Sequence, residues 1–557
     1  MGWRATPSVR RAVQDWNSLI RITEMVPRQR THPRTLWGYL DNHRQHEPAR
    51  TALVHSGGRM SYETLCADAE ALACGLIDLG ARPGDTISYQ MPNWAETVLI
   101  VLATLRIGAI CNPIITIYRS KEVGFLLKDA RSRFVFMPEV YRGFTFAEMM
   151  APLARAVDAR MIVCRGSHPD AIDFEALLSR GRELLAGGGA SAFMEADPAK
   201  DALYLYTSGT EGQPKGVRHS QTTLLSEARS VARATQLGAD DTLFMGSPLT
   251  HITGFAYACV AGPMLGVKVC LLDIWDIHEA AELISREQCV WTVGATPFLQ
   301  GLLEDAALAE KIRPLRIFRC GGADVPPNVI RKAQQRGIRA MRTYGCSEHP
   351  TISGGVHDDP AKAATTDGRV HPQNRVRIVD LGDETRVLGP GEIGEIQSQG
   401  DEVFLGYVDS RLDRYAFTPD GWLRTGDLGH LDADNYVTVV GRKKDIIIRK
   451  GENISAKEVE DLIVEIVQVR QCAVIGVPDA ERGEMMVAVC VLEPGASLSL
   501  PEIREHLNAA GIARQKYPER LEIVDAMPMN AAGKIRKIDL RARFSTPTSP
   551  QYQPHES

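Results

Sequence analysis

From residue 51 onward, short apolar runs alternate with segments long enough for two or three helical turns. Residues 86–89 (TISY) read as a strand set off by the Gly84-Asp85 turn, 93–105 as a helix and 108–117 as strand and loop. Residues 133–138, with Phe134, Val135 and Phe136, read as another short strand. The rhythm returns after Lys200, with a strand at 203–206, a polar glycine-rich loop, a helix over 221–235 and a buried strand at 267–272. Strands separated by helix-length segments predict βαβ units and mostly parallel sheets, because parallel neighbours need a crossover along the sheet face.

Residues 382–440 follow a different pattern. Their apolar runs are short and broken by turns at Gly389-Pro390-Gly391, Pro419-Asp420-Gly421 and Ala433-Asp434-Asn435, which reads as antiparallel β. A charged stretch, 441–445 (GRKKD), then opens onto Ile446, Ile447 and Ile448. A domain boundary is expected there. The predicted fold is therefore α/β: an N-terminal domain over 1–441, built of βαβ lobes plus a small β-barrel-like region, and a smaller α+β domain over 442–545. Residues 546–557, rich in Pro, Ser and Gln, are expected to be a disordered tail.

Composition narrows the class. The chain has 557 residues, 44% hydrophobic and 24% charged, which fits a globular protein and excludes a disordered one. Net charge is −5, from 64 basic and 69 acidic residues, so no basic excess marks a nucleic-acid binder. The 11 cysteines never fall at C-x-x-C spacing, which argues against a zinc ribbon or a thioredoxin-type pair and for small buried hydrophobes in a reducing compartment. Arg4, Arg10 and Arg11 precede no apolar region of the secretory kind, and Gly2 with Thr6 matches a myristoylation pattern too short to outweigh chance. The apolar run at 98–105 stops at Arg106, far below the roughly 20 residues of a membrane span. A cytoplasmic chain without a membrane span is expected.

The most informative segment is 206–216 (YTSGTEGQPKG), directly after a predicted strand. Glycines let backbone N–H groups approach an anion, hydroxyls at Thr207, Ser208 and Thr210 add donors, and Lys215 adds charge. That is chemistry for holding a polyphosphate. It is not a Walker A loop: counting from Gly209, the second required glycine falls on Pro214, and Gly216 stands where Ser or Thr should be.

This segment resembles the signature of the adenylate-forming enzymes, which comprise acyl-CoA synthetases, firefly luciferase and the adenylation domains of peptide synthetases. Four further stretches resemble that family's motifs in the same order: 344–348 (YGCSE), 425–427 (TGD), Gly441-Arg442 with 451–455 (GENIS), and 528–534 (PMNAAGK). The resemblance spans about residues 51–541. It implies ATP, Mg²⁺ and coenzyme A as cofactors. Thr207, Ser208, Gly209, Thr210, Glu211, Gly212 and Lys215 would hold the phosphates, and Glu348, with Thr210, would hold Mg²⁺, a hard cation that prefers oxygen ligands. Gly321, Gly322 and Ala323 would lie beside adenine, Tyr344 would stack on it, Gly345 and Ser347 would belong to the same nucleotide-binding stretch, and Asp427 assisted by Arg442 would take the ribose hydroxyls. Lys534 would approach the reacting carboxylate and α-phosphate. Lys444 would be the hinge of a mobile C-terminal domain whose Gly451 segment helps form the pantetheine tunnel.

Residues 247–255 (SPLTHITGF) resemble the P-L-x-H-x-x-G of acyl-CoA synthetases, where His251 lies between acyl pocket and thiol. The stretch lacks the Asp that pairs an amino-acid substrate's ammonium, and burying that charge unpaired would be costly. A free-standing acid–CoA ligase is expected. The substrate is expected to be a medium-chain, alicyclic or aromatic monocarboxylic acid, with steroid side-chain acids open, and 112–119 (NPIITIYR) resembles the cyclohexanecarboxylate–CoA ligase branch. Two alternatives stand beside it: an acyl-AMP ligase serving a carrier protein, and a non-catalytic nucleotide-binding protein. Monomer and homodimer are both open.

Overall fold

A computed structural model describes residues 33–188, 193, 196–207, 214–322, 325–354, 359–449, 452–479, 482–529 and 535–545. Two seven-stranded sheets dominate. In one, Arg339–Thr343, Ile317–Gly321, Trp291–Gly294, Thr242–Met245, Lys268–Leu271 and Thr51–His55 run parallel, with Gly58–Ser61 antiparallel at the edge. In the other, Asp201–Thr207, Ile110–Pro113, Thr86–Tyr89, Ser132–Pro138, Arg160–Cys164 and Ala171–Asp173 run parallel, and Lys215–Ser220 adds an antiparallel edge. The predicted alternation is thus present, and the helix expected over 221–235 is Gln221–Thr235.

The helices between the sheets are apolar nearly all round. Ala95–Ile107 has only two residues that are not buried, Glu96 and Arg106, as a helix enclosed on every side requires. Tyr62–Asp78 crosses Phe174–Ala186 at glycines on both sides. A Cβ at Gly181 would fall on the Ala71 carbonyl, and one at Gly75 would lie 2.8 Å from the Leu177 carbonyl oxygen. Ten of the 11 cysteines are buried and all are free thiols, in line with their expected role as small hydrophobes.

Residues 375–442 form a four-stranded antiparallel sheet in the order Arg375–Val379, Gly394–Gln399, Leu423–Leu431, Val437–Arg442. The barrel-like expectation is corrected here: the sheet is open, since its outer strands do not pair and four strands are too few to curl around a filled interior. Its turns use the residues the sequence marks, with positive φ at Gly391, Gly421 and Asn435. After the 3₁₀ turn Lys443–Asp445 a separate sheet begins, Glu452–Ser455, Ile446–Arg449, Gly483–Leu492 and Val469–Asp479, with Arg520–Ile523 parallel to Gly483–Leu492. Among the described residues no helix is long and apolar enough to cross a membrane. Gly2, Thr6 and the 546–557 tail lie outside the described residues.

The crossing at Gly181 is sterically closed, so Gly181→Ala should lower stability by about 1–3 kcal/mol. Gly238→Ala, where an added Cβ meets nothing within 4 Å, should change it by less than about 0.5 kcal/mol. Urea unfolding midpoints compare the two; equal values would show that the helices simply move apart.

Candidate active site

The site residues gather where parallel strands end, the usual ligand edge of an open α/β sheet. Thr207 closes Asp201–Thr207 and pairs with Lys215, which opens the antiparallel Lys215–Ser220. The connecting tip carries Ser208, Gly209, Thr210, Glu211 and Gly212, which lie outside the described residues. The lysine is followed by a strand rather than a helix, which separates this loop physically from a Walker A motif. The Lys215 ammonium lies 5.8 Å from the centre of the Tyr407 ring. The Tyr407 hydroxyl donates to Glu348 Oε1 at 2.8 Å. Burial and the neighbouring Glu348 carboxylate raise the Tyr407 phenol far above its ordinary pKa, so it remains a donor. A cation, a fixed donor and a carboxylate thus share one corner. Among the described residues no three His, Cys, Asp or Glu cluster as a metal cage, and Glu348 alone suits a hard cation that takes its remaining ligands from phosphate and water.

Main-chain bonds hold this corner together. Phe404 N donates to Glu348 O, Val408 N to Gly216 O and Leu405 N to Arg218 O, each at 2.8 Å. His219, fully buried, donates from Nε2 to Ser347 O at 2.8 Å, which leaves Nδ1 facing the Thr223 hydroxyl at 3.0 Å. Burial lowers the His219 pKa to about 4, so the ring is neutral. Sequence reasoning missed His219 and Tyr407; the signal for His219 was its place four residues after Lys215, on the strand leaving the loop.

The residues expected to face the nucleoside come from neighbouring strands. Gly321 is paired with Thr343, and a Cβ on it would lie 2.6 Å from Thr343 O, while Gly322 has φ +79°. Residues 344–353 fold back as a hairpin through Ile352 N to Tyr344 O at 2.9 Å, a closure in which a Gly345 Cβ would strike the Pro350 carbonyl. The Tyr344 hydroxyl donates to Asp427 Oδ2 at 2.9 Å, and Arg442 Nε meets Oδ1 at 3.0 Å. Asp427 and Arg442 are register partners on adjacent strands, which fixes the pair. Each carboxylate oxygen keeps a lone pair for a further donor. Ala323, Gly451 and Lys534 lie outside the described residues. Lys444 is exposed between two anchored neighbours: Lys443 pairs with Glu395 and Asp445 with Arg541, each at 2.8 Å.

His251 caps the helix Ile252–Gly254, its Nδ1 accepting from Thr253 N at 3.4 Å. A π-helix, Phe255–Ala261, follows, a wide turn that often marks functional sites. Its Tyr257 hydroxyl donates to Glu227 Oε1 at 2.9 Å, and Thr351 Oγ1 donates to the same oxygen at 2.6 Å. Glu402 lies beside them, fully buried, and its pKa is pushed up to about 9 by burial and then by the Glu227 carboxylate. His349 is also buried, 3.0 Å from Ser398 Oγ, with its pKa lowered by burial to about 3. This buried ionisable cluster was not expected from sequence.

Residues 40–408 match the AMP-binding enzyme family, and residues 458–534 match the AMP-binding enzyme C-terminal domain. The chain is 33% identical to the medium-chain fatty-acid–CoA ligase of Escherichia coli K12 over 503 residues, covering 89% of this chain and 88% of that one. It is 31% identical to the indoleacetate–CoA ligase of Aromatoleum aromaticum over 505 residues, 90% of this chain and 97% of that one. The crystal structure of ATP-bound MatB from Rhodopseudomonas palustris superposes with a TM-score of 0.83 at 27% identity, covering 92% of this chain and 99% of that one.

The buried groups set the sign of two pH effects. Glu402 titrates higher folded than unfolded, so its contribution is complete below about pH 4.5 and is lost as pH rises toward about 9. Wild type should therefore lose stability relative to Glu402→Gln by up to about 1.4 kcal/mol per pH unit between pH 5.5 and 8. His219 titrates lower folded than unfolded, so wild type should lose stability relative to His219→Gln as pH falls from about 6.5 toward about 4. Urea unfolding across pH checks both; parallel curves would contradict them.

Proposed function

The chain belongs to the AMP-binding enzyme family and is an ATP-dependent acid–CoA ligase, and we propose that its substrate is a medium-chain, alicyclic or aromatic monocarboxylic acid activated by the residues assembled above. The observation that carries the assignment of roles is the meeting of Lys215, Tyr407 and Glu348 at one corner with Tyr344, Asp427 and Arg442 at the next.

The reaction needs charge control more than proton transfer. A carboxylate acylates poorly because oxide is a very poor leaving group. Its oxygen attacks the α-phosphorus of ATP, the bond to the bridging oxygen breaks, and pyrophosphate leaves. The thiol sulfur of coenzyme A then attacks the acyl carbon, and AMP leaves. In our reading Lys215, with Thr207 and the loop 208–213, neutralises the departing phosphates. Glu348 would hold Mg²⁺, which would supply positive charge to the phosphate oxygens, and Tyr407 fixes the orientation of that carboxylate. Asp427 receives the ribose hydroxyls while Tyr344 and Arg442 hold its two oxygens in place. His251 stands at the acyl and thiol side, where the two half-reactions meet.

We place the boundary between the working bodies, 1–441 and 442–545, at the turn Lys443–Asp445. Lys443 tied to Glu395 and Asp445 tied to Arg541 leave the exposed Lys444 as the residue whose φ and ψ change, and Lys534 is brought in for adenylation. The relatives act on medium-chain fatty acids and indoleacetate, as their names state, which supports an apolar acid here. A cytoplasmic location, without a nucleic-acid partner, goes with this reading.

A panel of linear, alicyclic and aromatic acids scored by pyrophosphate release, with and without CoA, tests the substrate class. The expected result is acid-dependent release and CoA-dependent thioester, strongest with apolar acids; release only with amino acids would refute it. Lys534→Ala should reduce adenylation by roughly 10²-fold or more while thioester formation from supplied acyl-adenylate changes little. Equal losses in both half-reactions would rule out this role.

A further inference from the structure

Strand Ile317–Gly321 sends alternate side chains to opposite faces. Phe318 and Cys320 join the apolar cluster under the outer helices, and Ile317 joins the core between the two large sheets. Arg319 faces the same way as Ile317 and has no exposed surface at all. Its Nη2 donates to Thr343 Oγ1 at 3.2 Å, and its guanidinium carbon lies 6.0 Å from the centre of the Tyr257 ring. Among the described residues its Nε and Nη1 have no hydrogen-bond partner. Three N–H donors of a charged group are thus buried without an acceptor, which a folded chain rarely tolerates without a use for them.

The position of these donors says what they could meet. Arg319 lies two residues before Gly321, roughly 7 Å below the strand end where Gly321, Gly322 and Tyr344 collect. Tyr257 borders it from the π-helix that His251 and its short helix lead into, and an added Cβ on Gly354 would lie 3.2 Å from Nη2. This is the side on which the acyl part of an acid would run if its carboxylate lay at that strand end. Tyr257 also donates to Glu227, whose Oε1 is taken up by Tyr257 and Thr351. Tyr257 is thus bordered by a guanidinium on one side and a carboxylate on the other, so an added anion would meet repulsion from Glu227. A neutral acceptor oxygen would not.

We propose that Arg319 is a specificity-determining residue that donates to a neutral carbonyl or hydroxyl oxygen on the acyl part of the acid, so that the preferred substrates are oxo- or hydroxy-substituted acids. The proposal rests on the ligase reading above and sharpens its substrate class.

The test uses the full-length chain and size-matched sets: octanoate, 7-oxooctanoate and octanedioate; cyclohexanecarboxylate, its 4-oxo derivative and its 4-carboxylate. Binding is measured by calorimetry, which needs no turnover, and kcat/KM by pyrophosphate release. Wild type should favour the oxo acid over the plain acid in at least one set by about tenfold or more. Arg319→Leu should abolish that ratio by losing the oxo acid and gaining the plain one, and Arg319→Lys should keep part of it. A wild-type preference for the plain acids or for the diacids overturns the proposal, whether or not Arg319→Leu folds, and so does a ratio unchanged in a folded Arg319→Leu. Absence of pyrophosphate release with every acid would count against the ligase reading instead, and the calorimetric ratio would still decide this one.

Discussion

The hydrogen bond from His219 Nε2 to the Ser347 carbonyl joins two halves that the chain builds separately. His219 belongs to the edge strand of one seven-stranded sheet, and Ser347 follows the last strand of the other. The two sheets already share a core, and that bond, with the main-chain bonds of residues 404–408 beside it, ties together the particular edges that carry Lys215 and Glu348. The suture works because the imidazole is buried and neutral: one nitrogen must donate, and the only geometry that satisfies both nitrogens fixes the loop. A charged ring there would donate from both nitrogens, and the Thr223 hydroxyl oxygen would have to accept.

Much of the scaffold was legible because it obeys local rules. Strand–helix alternation announced both parallel sheets, and Gly391, Gly421 and Asn435 announced their turns through the backbone conformations they permit. The glycine-rich segment after Tyr206 stands out in the sequence because its hydroxyls, glycines and lysine are consecutive. What was hidden lies across the chain. Tyr257 meets Glu227 thirty residues away, and Thr351 meets it from 124 away. Arg319 sits in a strand whose neighbours are apolar, and no periodicity argument distinguishes a buried charge there from an exposed one. Likewise, turn-broken strands over 382–440 specify antiparallel pairing but not closure, which depends on strand number and on the pairing of the outer edges.

A chain of nearly balanced charge handles anionic nucleotides by placing its cations singly. Lys215 stands against the Tyr407 ring, Arg442 against Asp427, and Lys443 and Arg541 against carboxylates on either side of the turn. Arg442, Lys443 and Arg541 each face a carboxylate, while Lys215 stands beside a neutral ring and keeps its charge, so no cluster of cations builds a diffuse field. Recognition then follows from geometry at close range and is less exposed to salt screening than a basic surface would be.

The π-helix Phe255–Ala261 has an evolutionary corollary. A wide turn holds one residue more than an α-turn, so removing one residue would return it to α geometry while the segments on either side keep their register. Tyr257 would swing away from Glu227 and a different side chain would take its place, with the flanking strands undisturbed. The segment therefore behaves as a register dial: a single-codon insertion or deletion would change which side chain faces Glu227 without rebuilding the surrounding fold.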